Sequence, residues 1–240
     1  MDSINQIVFR NRLLAVLPAA DLGLLLPSLE TVHLNARQVL EAPRTPIGHV
    51  YFIERGLVSV VGTAPPDHRI EVGMVGYEGM TGLGVVLGDG QSANETLVQS
   101  SGSAQRLPAG ALQEAMSASR TLTATLLRYA HVFMMQGSQT ALANGRGRLD
   151  ERLARWLLMW HDRLADEKLT ITHEFLALLL GVRRPGVTVA LHALEGRGVI
   201  KSSRNLVKIL DRRRLQQVAK GFYGVPEAEY DRLIGLAAPR

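Results

Sequence analysis

Two adjacent arginines, Arg183 and Arg184, stand just before Pro185 and a run of apolar residues at helical spacing, Val187, Leu191 and Leu194. Proline suits a first helical turn, where its missing N–H has no partner to lose. The two guanidiniums therefore mark the start of a helix whose apolar stripe faces a core and whose other side carries Thr188, Val189 and His192. A guanidinium so placed can form paired hydrogen bonds to guanine O6 and N7 in a DNA major groove. Upstream, Thr172 is positioned to cap a helix over 173–180, where Phe175, Leu176, Leu179 and Leu180 recur at helical spacing. Gly181 supplies the positive φ of a tight turn, and helix, short turn, helix is the helix-turn-helix arrangement. Residues 199–201 and 206–210 can pair as a hairpin, a wing, with Ser203, Arg204 and Asn205 at its tip. Arg183, Arg184, Thr188 and His192 are thus the candidates for reading bases. Thr172, Lys201, Ser203, Arg204 and Asn205 are the candidates for phosphate contacts.

The charge distribution agrees with that placement. The 240 residues carry a net charge of +5. Residues 1–147 hold 10 basic and 11 acidic side chains, residues 148–240 hold 17 and 11, and the stretch 173–220 alone holds 10 and 3. Because that stretch also has strong apolar periodicity, it reads as a folded basic module with a polyanionic partner. All four lysines (Lys168, Lys201, Lys208, Lys220) lie in the C-terminal third, so no phosphate-binding or Schiff-base lysine is available before them. With no cysteine, disulfides, thiolate metal sites and iron–sulfur clusters are excluded, and a reducing, cytoplasmic setting is expected. No apolar run reaches membrane-spanning length, and residues 1–12 have no apolar signal core. Enzymatic signatures such as His-Glu-x-x-His or Gly-x-Ser-x-Gly are missing, and Glu71, Glu78 and Glu95 have no evident partners in sequence, so no enzyme is expected.

The elements that must carry this module read as follows. Residues 13–30 form short helical turns broken by Pro18 and Pro27. From Thr31 to Leu107 the chain alternates short β-like runs with turn signals at Pro46, Gly48, Arg55-Gly56, Pro65-Pro66-Asp67 and Ser101-Gly102, which predicts an all-β roll. Leu112 to Asn144 reads as a long helix. One stripe (Leu122, Leu126, Tyr129, Phe133) can cover the roll, and a second (Leu127, Ala130, Met134, Gly137, Ala141) suits a partner helix in a homodimer, the alternative being a long helix buried within a single chain. Asn144-Gly-Arg-Gly breaks that helix as a hinge, and an amphipathic helix resumes over 150–164. The fold class is α+β. The expected domains are a roll with its helical cap (1–118), a dimerisation helix with hinge (119–147) and a winged helix-turn-helix (148–240).

These residues resemble the Crp/Fnr family of transcription regulators. The resemblance is carried by ITHEFLALLLGVRRPGVTVALHALEGRGVI, and also by NRLLAVLP, YFIERGLVSVV and DERLARWLL. It implies a cupin-like, cyclic-nucleotide-binding-like jelly roll, a long dimerisation helix and a winged helix-turn-helix. It also implies a homodimer on a palindromic double-stranded DNA site, with RNA polymerase as a further partner and a small-molecule effector that shifts the long helix and the Gly145/Gly147 hinge. The family's nucleotide pocket has a Gly-Glu pair followed by a phosphate-neutralising arginine. Here Glu78-Gly79 can mimic the pair, but no arginine occurs between Arg69 and Arg106, which leaves Ser92 and backbone amides. Glu78, Gly79 and Ser92 are the effector candidates, cyclic AMP is disfavoured, and the cofactor is unknown. The seven glycines from Gly73 to Gly90 read as tight turns or a ligand cradle. Haem stays open through His33, His49, His68 and His131, none in a ligand-specific context; structural or surface roles fit each better. The family's cyclic-AMP-responsive pattern has Glu and Arg where this chain has Pro185 and Val189, so a different operator is expected. The competing reading is an interaction module with a cyclic-nucleotide-binding-like fold and no specific DNA readout; steep salt dependence of DNA binding would separate the two.

Overall fold

The structure is a computed structural model that describes residues 9–66, 68–164, 168–203 and 205–235. The chain enters through α1 (Arg12–Val16) and α2 (Ala19–Leu25), closed by a 3-10 turn at Leu26–Ser28. The fully buried Asn11 fixes this entry. Its Oδ1 accepts from Leu14 N at 3.1 Å as a helix cap, while its Nδ2 donates to the carbonyls of Ile53 (2.9 Å) and Gly79 (2.7 Å).

Strands β1 (Glu30–Leu34), β2 (Val39–Glu41), β3 (His49–Ala64), β4 (His68–Val75) and β5 (Glu95–Pro108) form one antiparallel sheet in the order β1-β5-β3-β4, with β2 also on β5. Helix α3 (Leu83–Val86) lies between β4 and β5. The expected turns at Arg55-Gly56 and Ser101-Gly102 are not turns. β3 and β5 run unbroken through them, and the register shifts between Ile53 and Val58. The two glycines face each other across the pair: a Cβ on Gly56 would lie 2.5 Å from the Ser100 carbonyl, and one on Gly102 would run into the Arg55 carbonyl. Glycine here permits close backbone approach at a bulge that bends two long strands into a roll.

The expected single helix over 112–144 is two. α4 (Ala109–Ala118) stops at Ser119, and α5 (Arg120–Arg146) begins there. Ser119 Oγ accepts from Leu122 N at 3.1 Å and donates to the buried Asp21 at 2.6 Å; Thr121 donates to the other Asp21 oxygen at 2.5 Å. A serine cap and a carboxylate on α2 thus set the break. The hinge glycines do not interrupt α5, which continues through Asn144, Gly145 and Arg146 and ends at Gly147. On α5, Leu122, Leu126, Tyr129 and Ala130 are buried against the roll, whereas Leu127 (44%), Met134 (63%) and Ala141 are exposed. β4 is the outer strand of the sheet, and Gln136 satisfies its backbone as a neighbouring strand would. The Gln136 amide accepts from Met74 N at 2.6 Å and donates to Met74 O at 3.1 Å.

The C-terminal part comprises α6 (Leu149–Arg163), β6 (Lys168–Thr170), α7 (His173–Leu180), α8 (Arg184–Gly196), β7 (Ile200–Ser203), β8 (Leu206–Ile209), α9 (Arg212–Val218) and α10 (Val225–Ile234). β6, β8 and β7 form a three-stranded antiparallel sheet, so the wing has one strand more than the expected hairpin. Its core is continuous with the roll: Leu57 and Met74 join Leu153, Trp156, Trp160, Leu176 and Leu191 in one buried cluster. Polar contacts cross the same junction. Trp156 Nε1 donates to Glu71 Oε1 at 2.7 Å, and Arg163 Nε donates to Glu78 Oε1 at 2.6 Å. Glu95 pairs with Arg69. All three carboxylates that lack partners in sequence therefore have them in the fold.

Candidate nucleic-acid interface

α7 starts because Thr172 Oγ1 accepts from Phe175 N at 3.1 Å, and it ends because Gly181 adopts φ +62°. A Cβ at Gly181 would also meet the Ile70 side chain at 2.7 Å, so the turn of the motif packs directly on β4. After that turn Arg183 is the extended N-cap residue of α8, and Pro185 occupies its first turn. Val187, Ala190, Leu191 and Leu194 are buried. The opposite face exposes Arg184, Pro185, Val189 and His192, with Val189 69% accessible. Arg183 is exposed beside them. Helical period alone divides these residues, because a helix with one apolar stripe must turn its remaining side chains outward.

Arg184 is held by Glu174 of α7, Nε to Oε1 at 3.0 Å, both side chains more than 60% exposed. Such a surface pair contributes little stability and is easily exchanged for another acceptor. Thr188 is less free than its helical position suggests. It is half-buried, its Oγ1 lies 3.1 Å from His173 Nδ1, and it donates to Arg184 O at 3.4 Å. His173 and Glu174, the first residues of α7, thus face the start of α8, a juxtaposition that the fold creates and the local sequence does not show.

The wing closes between Ser203 and Leu206, with Asn205 in the left-handed region at φ +59°, which asparagine tolerates. Arg204 lies outside the described residues. The Asn205 carbonyl accepts from Ile171 N at 3.0 Å, which places the wing turn beside Thr172 at the start of α7. Lys201, Ser203 and Asn205 are exposed. Glu195, near the end of α8, accepts from Ser202 N at 2.7 Å and ties the helix to the wing. The fold thus joins the start of α7, the outer face of α8 and the wing through direct contacts.

The effector candidates are not brought together. Ser92 lines a cavity of about 160 Å³ in the roll, with Glu41, Thr81, Gly82, Thr96 and Phe133. Glu78 is elsewhere, committed to Arg163 at the junction, and Gly79 lies against Tyr129, whose phenol would collide with any Cβ there. No arginine, lysine or histidine lines the roll cavity among the described residues. Its one ionisable group, Glu41, accepts from Gly82 N at 2.7 Å, and burial pushes its pKa above the ordinary carboxylate value. A phosphate there would meet a carboxylate and no cation, which is costly. The histidines His33, His49, His68 and His131 join no cluster of potential metal ligands among the described residues.

The class defined by this fold is a β-roll joined through a long helix to a winged helix-turn-helix. More particularly, residues 151–218 match the Crp-like helix-turn-helix domain, and the chain has the fold of Crp/Fnr-family transcriptional regulators. One such regulator, from Eubacterium rectale, superposes with a TM-score of 0.68 at 20% identity, over 85% of this chain and 96% of that one. A Crp-family regulator from Thermus thermophilus gives 0.66 at 21% identity, over 79% and 97%. The global regulator CLP from Xanthomonas campestris, a c-di-GMP-responsive protein, gives 0.65 at 16% identity, over 80% and 99%. No curated protein matches the sequence.

Proposed function

We propose that this chain is a sequence-specific DNA-binding transcription regulator acting as a homodimer on a palindromic site. The observation that carries the reading is the outer face of α8, where Arg183 and Arg184 at the start of the helix and Val189 and His192 further along stand free of the core, as in a helix of groove-reading type. Arg184 and Arg183 read bases. His192 reaches the groove further along, and Thr188 serves mainly to hold α7 against α8. Thr172, Lys201, Ser203, Asn205 and Arg204 contact phosphates on either side.

Two-fold symmetry follows from α5. Leu127, Met134 and Ala141 recur every seven residues on its uncovered face, the spacing at which one helix packs along another. A second copy supplies the matching face and sets the half-site spacing. The protein acts in the cytoplasm, engages RNA polymerase at its targets and performs no catalysis itself. An effector acts by changing how the two α8 helices are presented. Cyclic AMP is a poor candidate, because the roll cavity offers its phosphate no cation among the described residues.

Selection of genomic fragments with the purified full chain tests the reading. Enrichment of a two-fold symmetric motif is expected, with affinity falling steeply as salt rises. Recovery of fragments without any shared motif would leave only non-specific binding.

A further inference from the structure

A cavity of about 520 Å³ opens where α5, the end of α6 and α10 meet, separated from the roll cavity by Phe133, which borders both. Its volume is that of a small-molecule site. Much of its wall comes from α10, which lies beyond the matched helix-turn-helix domain.

The wall is aromatic. Tyr77, Tyr129, Phe133, Tyr223 and Tyr230 all border it. Three of the tyrosine hydroxyls are already spent: Tyr129 donates to Met80 O at 3.2 Å, Tyr230 to Glu78 O at 2.6 Å and Tyr223 to Asp162 Oδ2 at 2.6 Å. These tyrosines therefore offer a ligand rings rather than free donors. The rings in this region already hold cations on their faces. Arg10 lies 5.1 Å from the Tyr77 centroid, Arg12 4.5 Å from Tyr230, and Arg212 5.6 Å from Tyr223.

The charges on the wall do not balance. Its guanidiniums are each matched: Arg12 with Asp231 at 3.0 Å, Arg163 with Glu78 at 2.6 Å, and Arg212 with Asp162 at 2.6 Å. His161 meets Arg212 at 3.2 Å. Glu227 is the lining carboxylate left over. It accepts from Gly224 N at 3.0 Å, and no salt bridge reaches it among the described residues. Burial raises its pKa, and the positive field of Arg163 and Arg155 only partly offsets that. A cation close to it would remove the penalty.

We propose that this cavity is a binding site for a small organic cation, an amine carried on an apolar or aromatic body, with Glu227 receiving the charge and the tyrosine and phenylalanine rings enclosing the body. The assignment does not rest on the DNA-binding reading. Calorimetry without DNA reads it alone, and it can fail while DNA binding holds.

The test uses the full chain and three probes sharing one body: phenethylamine, phenethyl alcohol and phenylacetate. The amine should bind about tenfold more tightly than the alcohol, and phenylacetate should not bind. Glu227→Gln keeps the acceptor for Gly224 N and should lower amine affinity about tenfold, to that of the alcohol, with the alcohol itself unchanged. Ala93→Trp, which obstructs the roll cavity, should leave amine binding intact. Failure of the amine to bind at about millimolar concentration, or equal binding of amine and phenylacetate, overturns the proposal. So does loss of alcohol binding in Glu227→Gln, which would make Glu227 structural, or loss of amine binding in Ala93→Trp, which would put the ligand in the roll.

Discussion

Replacing Glu71 by glutamine should stabilise the protein by an amount that grows as pH rises from 4.5 to about 7 and then stays constant. Glu71 is 6% exposed on β4 and sits between the roll and α6. Its Oε1 accepts from Trp156 Nε1 at 2.7 Å, and its Oε2 lies 2.6 Å from Ser59 Oγ. Ser59 also donates to Gln99 Oε1 at 2.9 Å. The Ser59 hydroxyl lies between the two acceptors and, like Trp156, favours the Glu71 carboxylate. Burial outweighs these bonds and pushes the Glu71 pKa from 4.5 to about 7, against the lowering effects of Ser59, Trp156, Arg155 and Arg163. Below the unfolded pKa both states are protonated and nothing is lost. As pH rises from 4.5 to about 7 the unfolded chain ionises this carboxyl while the folded state still holds its proton, which removes about 3 kcal/mol of stability by the time the folded group has titrated. Glutamine can accept from Trp156 and donate to Ser59 without titrating. Urea unfolding should therefore give Glu71→Gln an advantage of about 2–3 kcal/mol near pH 8.5 that shrinks towards zero near pH 4.5. An advantage independent of pH, or one that grows as pH falls, would refute the reasoning.

Arg184→Ala should cost roughly 1–3 kcal/mol at a single base position and relax specificity there, while Lys201→Ala should weaken all sequences alike and reduce the salt slope; binding measured on the selected site and on random DNA separates the two. Met134→Glu should put a carboxylate into the exposed heptad face of α5 and yield monomers in sedimentation equilibrium, with the secondary structure retained. Gly102→Ala should destabilise by about 1–3 kcal/mol in chemical unfolding, because its methyl group meets the Arg55 carbonyl and the strand must give way.

Where a local pattern had one structural solution, it was legible in the sequence. Thr172, Gly181 and Pro185 mark the ends of α7 and the start of α8 through capping, positive φ and a missing N–H, all properties of single residues. The buried and exposed faces of α8 follow from period alone. Arg55-Gly56 and Ser101-Gly102 misled because a dipeptide suited to a turn is equally suited to a bulge, and only the pairing of β3 with β5 distinguishes the two. The break at Ser119 depends on Asp21, 98 residues away. The dispersal of the effector candidates has the same kind of cause: Glu78 is paired with Arg163, 85 residues later, and nothing in the local sequence shows that. The cavity beside α10 was missed although Gly224, Pro226 and Glu227 carry a helix-start signal, because its other wall comes from α5 and α6.

The same junction limits how a signal could travel. A rotation of the C-terminal part about Gly147 alone would draw Trp156 from Glu71 and Arg163 from Glu78, and would lift the Gly181 turn off Ile70. Breaking the Arg163–Glu78 pair, both side chains under 15% exposed, leaves a buried charge and costs about 3–5 kcal/mol. A ligand can shift that equilibrium only by its difference in affinity for the two arrangements, so a group bound far from the junction would need several kcal/mol of preference to open it. A ligand contacting the junction itself could offset the loss where it occurs, by pairing with a charge that the movement frees. The place where the roll, α6 and α10 meet is therefore energetically better suited than the roll interior to control how α8 is presented.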